Sequence, residues 1–388
     1  MNDPALAPIA DKVHAGVRLS ADDGMTLLRS RDLHTVGELA HVVRHRMHGD
    51  AAYYNVNRHL NYSNLCILSC KFCEFHRKRG QDGAYEYSLD DIRQQAASAR
   101  DGGATEMHIV GGLHPKLPFS YYTDMLAAIR ETAPQVHVKA FTAVEIVHLA
   151  RVSKRAVRKD FAGAVRAVLE DLIEAGLCSL PGGGAEVFDD RVHDEAFRGK
   201  IRSDEWLTVH RTAHELGLFS NATMLYGHVE SLEDRVHHLV MLREEQDHAI
   251  ERGFPGRFQT IIPLPFFPDG SELEHLPGPS GVDNLRMLAV ARLMLDNFAH
   301  VKAFWIMQTL PMAQIMLDHG ADDVDGTVVW YDITKVEGSD THQETSVADL
   351  RRAIVEAGYR PIERDTLYRP VQRDGAMWRL ADEPALVA

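Results

Sequence analysis

What most limits the folds open to this chain is an alternation along its middle: short apolar runs ending in glycine or a polar turn, each followed by a helix-length stretch with its own start signal. Ser88 with Asp91 three residues on forms a capping box, Ile92, Ala96 and Ala99 follow on one face, and Gly102 and Gly103 stop the helix. "TEMHIVGG" then reads as a buried strand. "YYTDMLAAIRETAP" is the next helix, "VHVKAFTAVEI" the next strand, and a charged helical stretch runs from about Lys154 to Ala175. "GLCSLPGGGAE" and "FSNATMLYGHVE" read as strands with the Ser203–Glu215 helix between them, and Ser231 with Asp234 caps another helix. "RFQTIIPLPFFP", a helix from Asn284 to Phe298, "VKAFWIM" and the weak "DDVDGTVV" continue the series. With "YYNVNRHLNYSNLC" as the first, about eight strands emerge, the count of a TIM-type (β/α)8 barrel. The expected organisation is an N-terminal helical extension over 1–50, the barrel over 51–335, and a C-terminal helical extension over 336–388 packed on it.

Composition narrows the function. The formal net charge is -14 over 388 residues with no sustained basic run, so a nucleic-acid partner is not expected and a small molecule is. No stretch approaches the roughly 18 apolar residues of a membrane span, and the N-terminus has no apolar leader core. Four cysteines cannot make a disulfide framework in this length, which points to a reducing cytoplasm. The 22 histidines are scattered, and most are expected to be solvated or hydrogen-bonded in place.

Three of the four cysteines lie in "CILSCKFCEF", directly after the first strand, where a βα barrel carries its reactive loops. The spacing C-x3-C-x2-C of Cys66, Cys70 and Cys73 lets one loop reach three corners of a single cluster. Zinc would want a fourth ligand, for which His76 is near and Cys178 remote. An electron-transfer [4Fe–4S] centre would use four cysteines. Three leave one iron open, the requirement for binding S-adenosylmethionine (SAM) and cleaving it with one electron, so the loop resembles that of the radical SAM superfamily. Phe72, before the third cysteine, is usual there.

Further segments narrow the resemblance. "HIVGGLHP", "FTAVEI", "LPGGGAE", "TMLYGHVE", "ARLMLDNFAHVKAFW" and the closing "EAGYRPIERDTLY", in this order, resemble aminofutalosine synthase of the futalosine route to menaquinone, from about Asn57 to about Tyr368. The resemblance implies a transferase that adds the 5′-deoxyadenosyl radical to 3-[(1-carboxyvinyl)oxy]benzoate, with rearrangement and decarboxylation, giving 6-amino-6-deoxyfutalosine. It also implies a flavodoxin- or ferredoxin-type electron donor. Dehypoxanthine futalosine cyclase is the neighbouring alternative, and a non-catalytic iron–sulfur or zinc protein is the alternative of another class.

Site expectations follow from the resemblance. Gly111 and Gly112 end a strand where the superfamily receives the amino group of SAM, and Gly182, Gly183 and Gly184 let backbone approach the nucleoside, with Glu186 accepting a hydroxyl hydrogen bond. Tight barrel turns are the plainer role for these glycines. Glu145 is expected to bind ribose or methionine, or else to serve as a first-turn carboxylate. Arg77 and Arg292 are candidate clamps for the substrate carboxylates. Among His108, His114 and His228 on the expected active face, His228 is the preferred polar contact. Two stretches depart from the family: "WYDITKVEGSD" (330–340) replaces its usual run, and "RVSKRAVRKDFAGAV" is longer.

Overall fold

The computed structural model describes residues 3–329 and 344–381. Twelve strands occur among them: β1 Ala51–Asn55, β2 Asn57–Leu60, β3 Glu106–Ile109, β4 His137–Ala140, β5 Ser179–Leu180, β6 Phe219–Tyr226, β7 Phe258–Pro265, β8 His300–Val301, β9 Asp323–Gly326, β10 Arg360–Glu363, β11 Val371–Asp374 and β12 Met377–Leu380. Strands β2 to β8 form one parallel sheet in chain order. Its residues are buried almost throughout, as expected where helices cover the outer face and side chains fill the lumen.

Closure uses the ninth strand. β9 pairs with β1, and single parallel bridges join Lys302 to Asp323 and Arg58 to Val329. The first barrel position is thus shared by β1 and β2, on either side of Val56, and the eighth by β9. The expected TIM-type (β/α)8 barrel is present, with helical connections between successive parallel strands.

The helix starts follow the sequence signals closely. Ser88 and Ser231 form the capping boxes expected of them, with Asp91 and Asp234, and Ser20 forms another with Asp23. Two boundaries differ. The stretch from Lys154 becomes helical only at Phe161, where Asp160 accepts from the Gly163 amide, and Lys154 itself takes a left-handed φ of 60°. The third barrel strand stops at Ala140, because Thr142 begins a new helix, Ala143–Val152, with a capping box to Glu145. "FTAVEI" is a strand-to-helix corner, not a strand end.

The N-terminal extension is helical: Ala7–Ala15, Ala21–Arg29 and Leu33–His48, the last two packed on the Gly281–Met294 helix. The C-terminal extension is not simply helical, which corrects the expectation. Its helix, Val347–Glu356, is followed by β10, which runs parallel to β1 from Ala51↔Arg360, and by the β11–β12 hairpin. After β10 the chain passes under the barrel. Arg364 pairs with Asp323 at 2.6 Å, the amide of Gln259 donates to the Thr366 carbonyl, and the Tyr368 ring stacks on His300 at 3.5 Å. Residues 330–340, the departing loop, lie outside the described residues.

Candidate active site

Beyond β2 the chain climbs over the C-terminal rim and lays down the cysteine loop. Backbone bonds fix it: Cys66 N–H donates to Arg77 O (3.1 Å), Arg77 N–H to Asn64 O (2.8 Å) and Ile67 N–H to Leu113 O (3.0 Å). The Lys78 ammonium donates to the carbonyls of Cys66 and Leu68, at 2.9 and 2.6 Å. Cys70 is buried and Cys66 and Cys73 are half-buried. Burial pushes the Cys70 thiol up to about 12 and raises the other two as well.

The donor set fits a cluster with one open corner. Cys178 precedes β5, at the opposite end of the barrel, is exposed, and its thiol donates to Gly176 O at 3.3 Å. His76 donates from Nδ1 to the Cys73 carbonyl at 2.8 Å, so that nitrogen has no free lone pair for zinc. Cys66, Cys70 and Cys73 do not form a group tight enough for a single ion among the described residues, which suits a [4Fe–4S] cluster, where each thiolate holds its own iron, better than tetrahedral zinc.

One residue of the site carried no sequence signal: Lys200. It sits in an irregular segment between two helices, outside any strand-end motif. Its ammonium stands 5.1 Å from the Phe72 ring centroid and pairs tightly with Glu186. Burial opposes its charge, but Glu186, Cys70 and Cys73 outweigh it, so Lys200 is held protonated beside the thiols. The Glu186 carboxylate is therefore engaged by protein rather than open to a nucleoside hydroxyl, and its backbone is left-handed at φ 49°. Phe72 has its ring between Lys200 and an edge contact with Phe197 at 6.1 Å.

The glycines prove to be packing positions. A Cβ on Gly111 would come within 2.6 Å of the Tyr62 ring, and one on Gly112 within 2.4 Å of the Leu65 carbonyl oxygen. Gly182 faces the Ala222 backbone at 2.7 Å, Gly184 (φ 92°) meets Val144 at 2.4 Å, and Gly183 has the most room, with Thr142 at 3.1 Å. Gly111 and Gly112 are small so that the cysteine loop can lie on the end of β3. Close packing is what surrounds these positions, and of the five only Gly184 takes a left-handed φ.

Glu145 occupies the first turn of its helix, the alternative offered for it, and serves there as an internal brace. One carboxylate oxygen accepts from the Tyr62 hydroxyl (2.8 Å) and the Gly111 amide (3.0 Å); the other accepts from the amide and hydroxyl of Thr142 at 2.8 and 2.9 Å. It joins the cysteine segment, the end of β3 and the next helix. Burial nevertheless pushes its carboxyl up to about 7, against the lowering effect of those bonds.

The two arginines part company. Arg77 lies on the cysteine loop but folds back on it, donating to the carbonyls of Glu74 (2.6 Å) and His76 (3.0 Å). Arg292 is at the wrong end of the barrel for a substrate clamp: it lies in the last turn of its helix, fully buried, bonded to Gly320 O at 2.8 Å and tightly to Asp322. His228 is buried, donating from Nε2 to Leu225 O at 3.0 Å with Glu230 3.4 Å from Nδ1. His114 is held by Glu86 at 2.8 Å. His108 alone of the three keeps a partly exposed ring on a barrel strand.

Backbone strain also gathers at this rim. Phe141 (φ 64°), Glu186, Thr309 (φ 67°) and the β-branched Val328 (φ 50°) all follow the C-terminal ends of barrel strands. Such conformations persist where surrounding structure enforces them, and they favour a functional face.

Comparison with known proteins agrees with the loop chemistry. Residues 60–242 match the family model of the radical SAM superfamily, and residues 255–376 that of the CofH/MqnC C-terminal region. The chain is 44% identical to an aminodeoxyfutalosine synthase of Thermus thermophilus, over 96% of this chain and 97% of that one. It is 33% identical to a 5-amino-6-(D-ribitylamino)uracil–L-tyrosine 4-hydroxyphenyl transferase of Methanopyrus kandleri, over 96% and 99% of the two. Among solved structures, methylornithine synthase superposes with a TM-score of 0.69 at 18% identity, covering 91% of this chain and 97% of that one. The FeFe-hydrogenase maturase HydG of Carboxydothermus hydrogenoformans superposes at 0.71 and 16%, covering 94% and 80%.

Proposed function

This chain belongs to the aminodeoxyfutalosine synthase family of radical SAM enzymes, and from that premise we propose that it joins the 5′-deoxyadenosyl group to 3-[(1-carboxyvinyl)oxy]benzoate, with rearrangement and decarboxylation, to yield 6-amino-6-deoxyfutalosine. The observation that carries the substrate assignment is the 44% identity across nearly the whole of both chains. Cys66, Cys70 and Cys73 would hold a [4Fe–4S] cluster, which would supply the electron that cleaves SAM. The chain's own residues do the rest. The loop carbonyls tied by Lys78 hold the three thiols in register. Lys200, paired with Glu186, places a buried ammonium beside Cys70 and Cys73, where it stabilises thiolates. Tyr62, Glu145 and Gly111 fix the floor of the cysteine loop. A one-electron carrier of the flavodoxin or ferredoxin kind is the expected reductant.

A second reading, a 4-hydroxyphenyl transfer to a ribitylaminouracil, is favoured by the 33% relative. One experiment separates the readings. Anaerobically reconstituted protein is given SAM, dithionite and either the enolpyruvyl benzoate or tyrosine with 5-amino-6-(D-ribitylamino)uracil, and products are weighed by mass spectrometry. An adduct of adenosyl and aryl groups less one carbon dioxide supports the synthase. Free 5′-deoxyadenosine in step with a hydroxyphenyl product, or with a cyclised dehypoxanthine futalosine when that precursor is supplied, replaces it.

A further inference from the structure

The lower lumen of the barrel is filled by charge pairs: Glu106 with Lys139 at 2.8 Å and Lys302 with Asp325 at 3.1 Å, all buried. His108 stands two residues further up β3, on the same face as Glu106. Its register neighbours are His59 on β2 and Lys139 on β4. The other three residues of β3 are buried, yet the His108 side chain keeps 22% of its exposure. It is the first group above the charge-paired layer that solvent reaches on this strand.

The ring is held in a definite pose. It lies flat on His59, with centroids 4.7 Å apart and planes 11° from parallel, and its Nδ1 faces the Glu106 carboxylate at 3.8 Å. Lys139 and Lys302 are each committed to a carboxylate below it, so His108 is the group here left to offer a donor to a ligand. A carboxylate at Nε2 would accept from a ring N–H there.

We propose that His108 is a substrate-binding residue on the floor of the pocket, donating through Nε2 to the ring carboxylate of an aromatic diacid. The proposal rests on the synthase reading for the identity of the acid. The vinyl carbon must face the rim where the cysteines stand, which sends the benzoate end of the substrate down the lumen towards His108.

The test is a cycle between residue and substrate. In the wild type, replacing 3-[(1-carboxyvinyl)oxy]benzoate by 2-phenoxyacrylate, which lacks only the ring carboxylate, should raise KM about tenfold to hundredfold, the usual range for a hydrogen bond to a charged group. His108→Leu should raise KM for the full substrate by a similar factor, with KM for SAM little altered, and should leave little further loss on truncation. His108→Gln, which keeps a donor, should recover part of the loss. Equal truncation factors in wild type and His108→Leu would overturn the proposal and leave His108 a packing residue. Titration of the reconstituted proteins with benzoate by calorimetry provides the independent arm. If the wild type forms no adduct, the synthase reading falls, and this titration still decides: weaker binding in His108→Leu supports the contact, and equal affinity overturns it.

Discussion

The two ends of the barrel handle buried polar groups in opposite ways. At the N-terminal end, Asp322 receives Arg292, His300 Nδ1 at 2.6 Å and the Val301 amide at 2.8 Å, with His48 3.6 Å away. His48, His300 and Asp322 lie close enough to suggest a metal site. Yet His48 Nε2 donates to Ala299 O at 2.9 Å and a guanidinium already sits on the carboxylate, so the trio is a hydrogen-bonded staple. At the C-terminal end three thiols of one loop lie buried or half-buried, and burial pushes their pKa values up. Satisfied charge at one end gives stability; unmet ligand capacity at the other marks the place for a cofactor.

The sharpest way to break this contrast is to remove the thiols. Cys66→Ala, Cys70→Ala or Cys73→Ala should each abolish iron loading and SAM cleavage, while Cys178→Ala should retain both, measured by iron content and 5′-deoxyadenosine release after reconstitution. Loss of iron in the Cys178 variant would move the ligand set. The converse substitution is Asp322→Ala at the far end. It strands Arg292 as a buried unpaired charge, a loss of about 3–5 kcal/mol in urea unfolding, while SAM cleavage per bound cluster stays the same.

Which of these roles could be read from sequence depends on whether they are local. The cysteine loop and the serine caps are local, set by spacings of three or four residues, and they stand in the structure as expected. The succession of strands is local too, apart from the weak eighth. Arg292 fails because a helix period gives its face but not which end of the barrel that face meets; its partner Asp322 lies thirty residues on, in another element. β10 escapes because its partner β1 is about three hundred residues earlier. Lys200 belongs to an irregular segment with no period, and only the fold carries it to Phe72 and Glu186.

The glycines offer a finer test of how the upper end is built. A methyl group on Gly112 would lie 2.4 Å from backbone, while on Gly183 it would meet only the Thr142 methyl, at 3.1 Å. Gly112→Ala should therefore cost about 1–3 kcal/mol of stability, as overpacking does, and lower iron loading with it. Gly183→Ala should cost distinctly less. If Gly112→Ala melts normally but binds SAM poorly, the pocket itself, rather than the loop packed on it, needs the glycine.

The smallest expected effect is a slope. The Glu145 carboxyl is pushed up to about 7 in the folded protein from an ordinary 4.5. Below pH 4.5 both folded and unfolded chains hold the proton, so this group's stabilising contribution is fully present. Between 4.5 and about 7 the folded chain keeps a proton that the unfolded chain releases, and stability falls as pH rises, by at most about 1.4 kcal/mol per pH unit. Above 7 the contribution is spent. Glu145→Gln has no such proton; it also turns an amide towards the Thr142 N–H and loses part of the cap, which lowers stability by an amount independent of pH. The difference in unfolding free energy between wild type and variant, measured across this range, should therefore shrink as pH rises. A constant difference would mean that the four donors around Glu145 keep it ionised throughout, and that the upper end of the barrel, like the lower, carries its buried carboxylate fully satisfied.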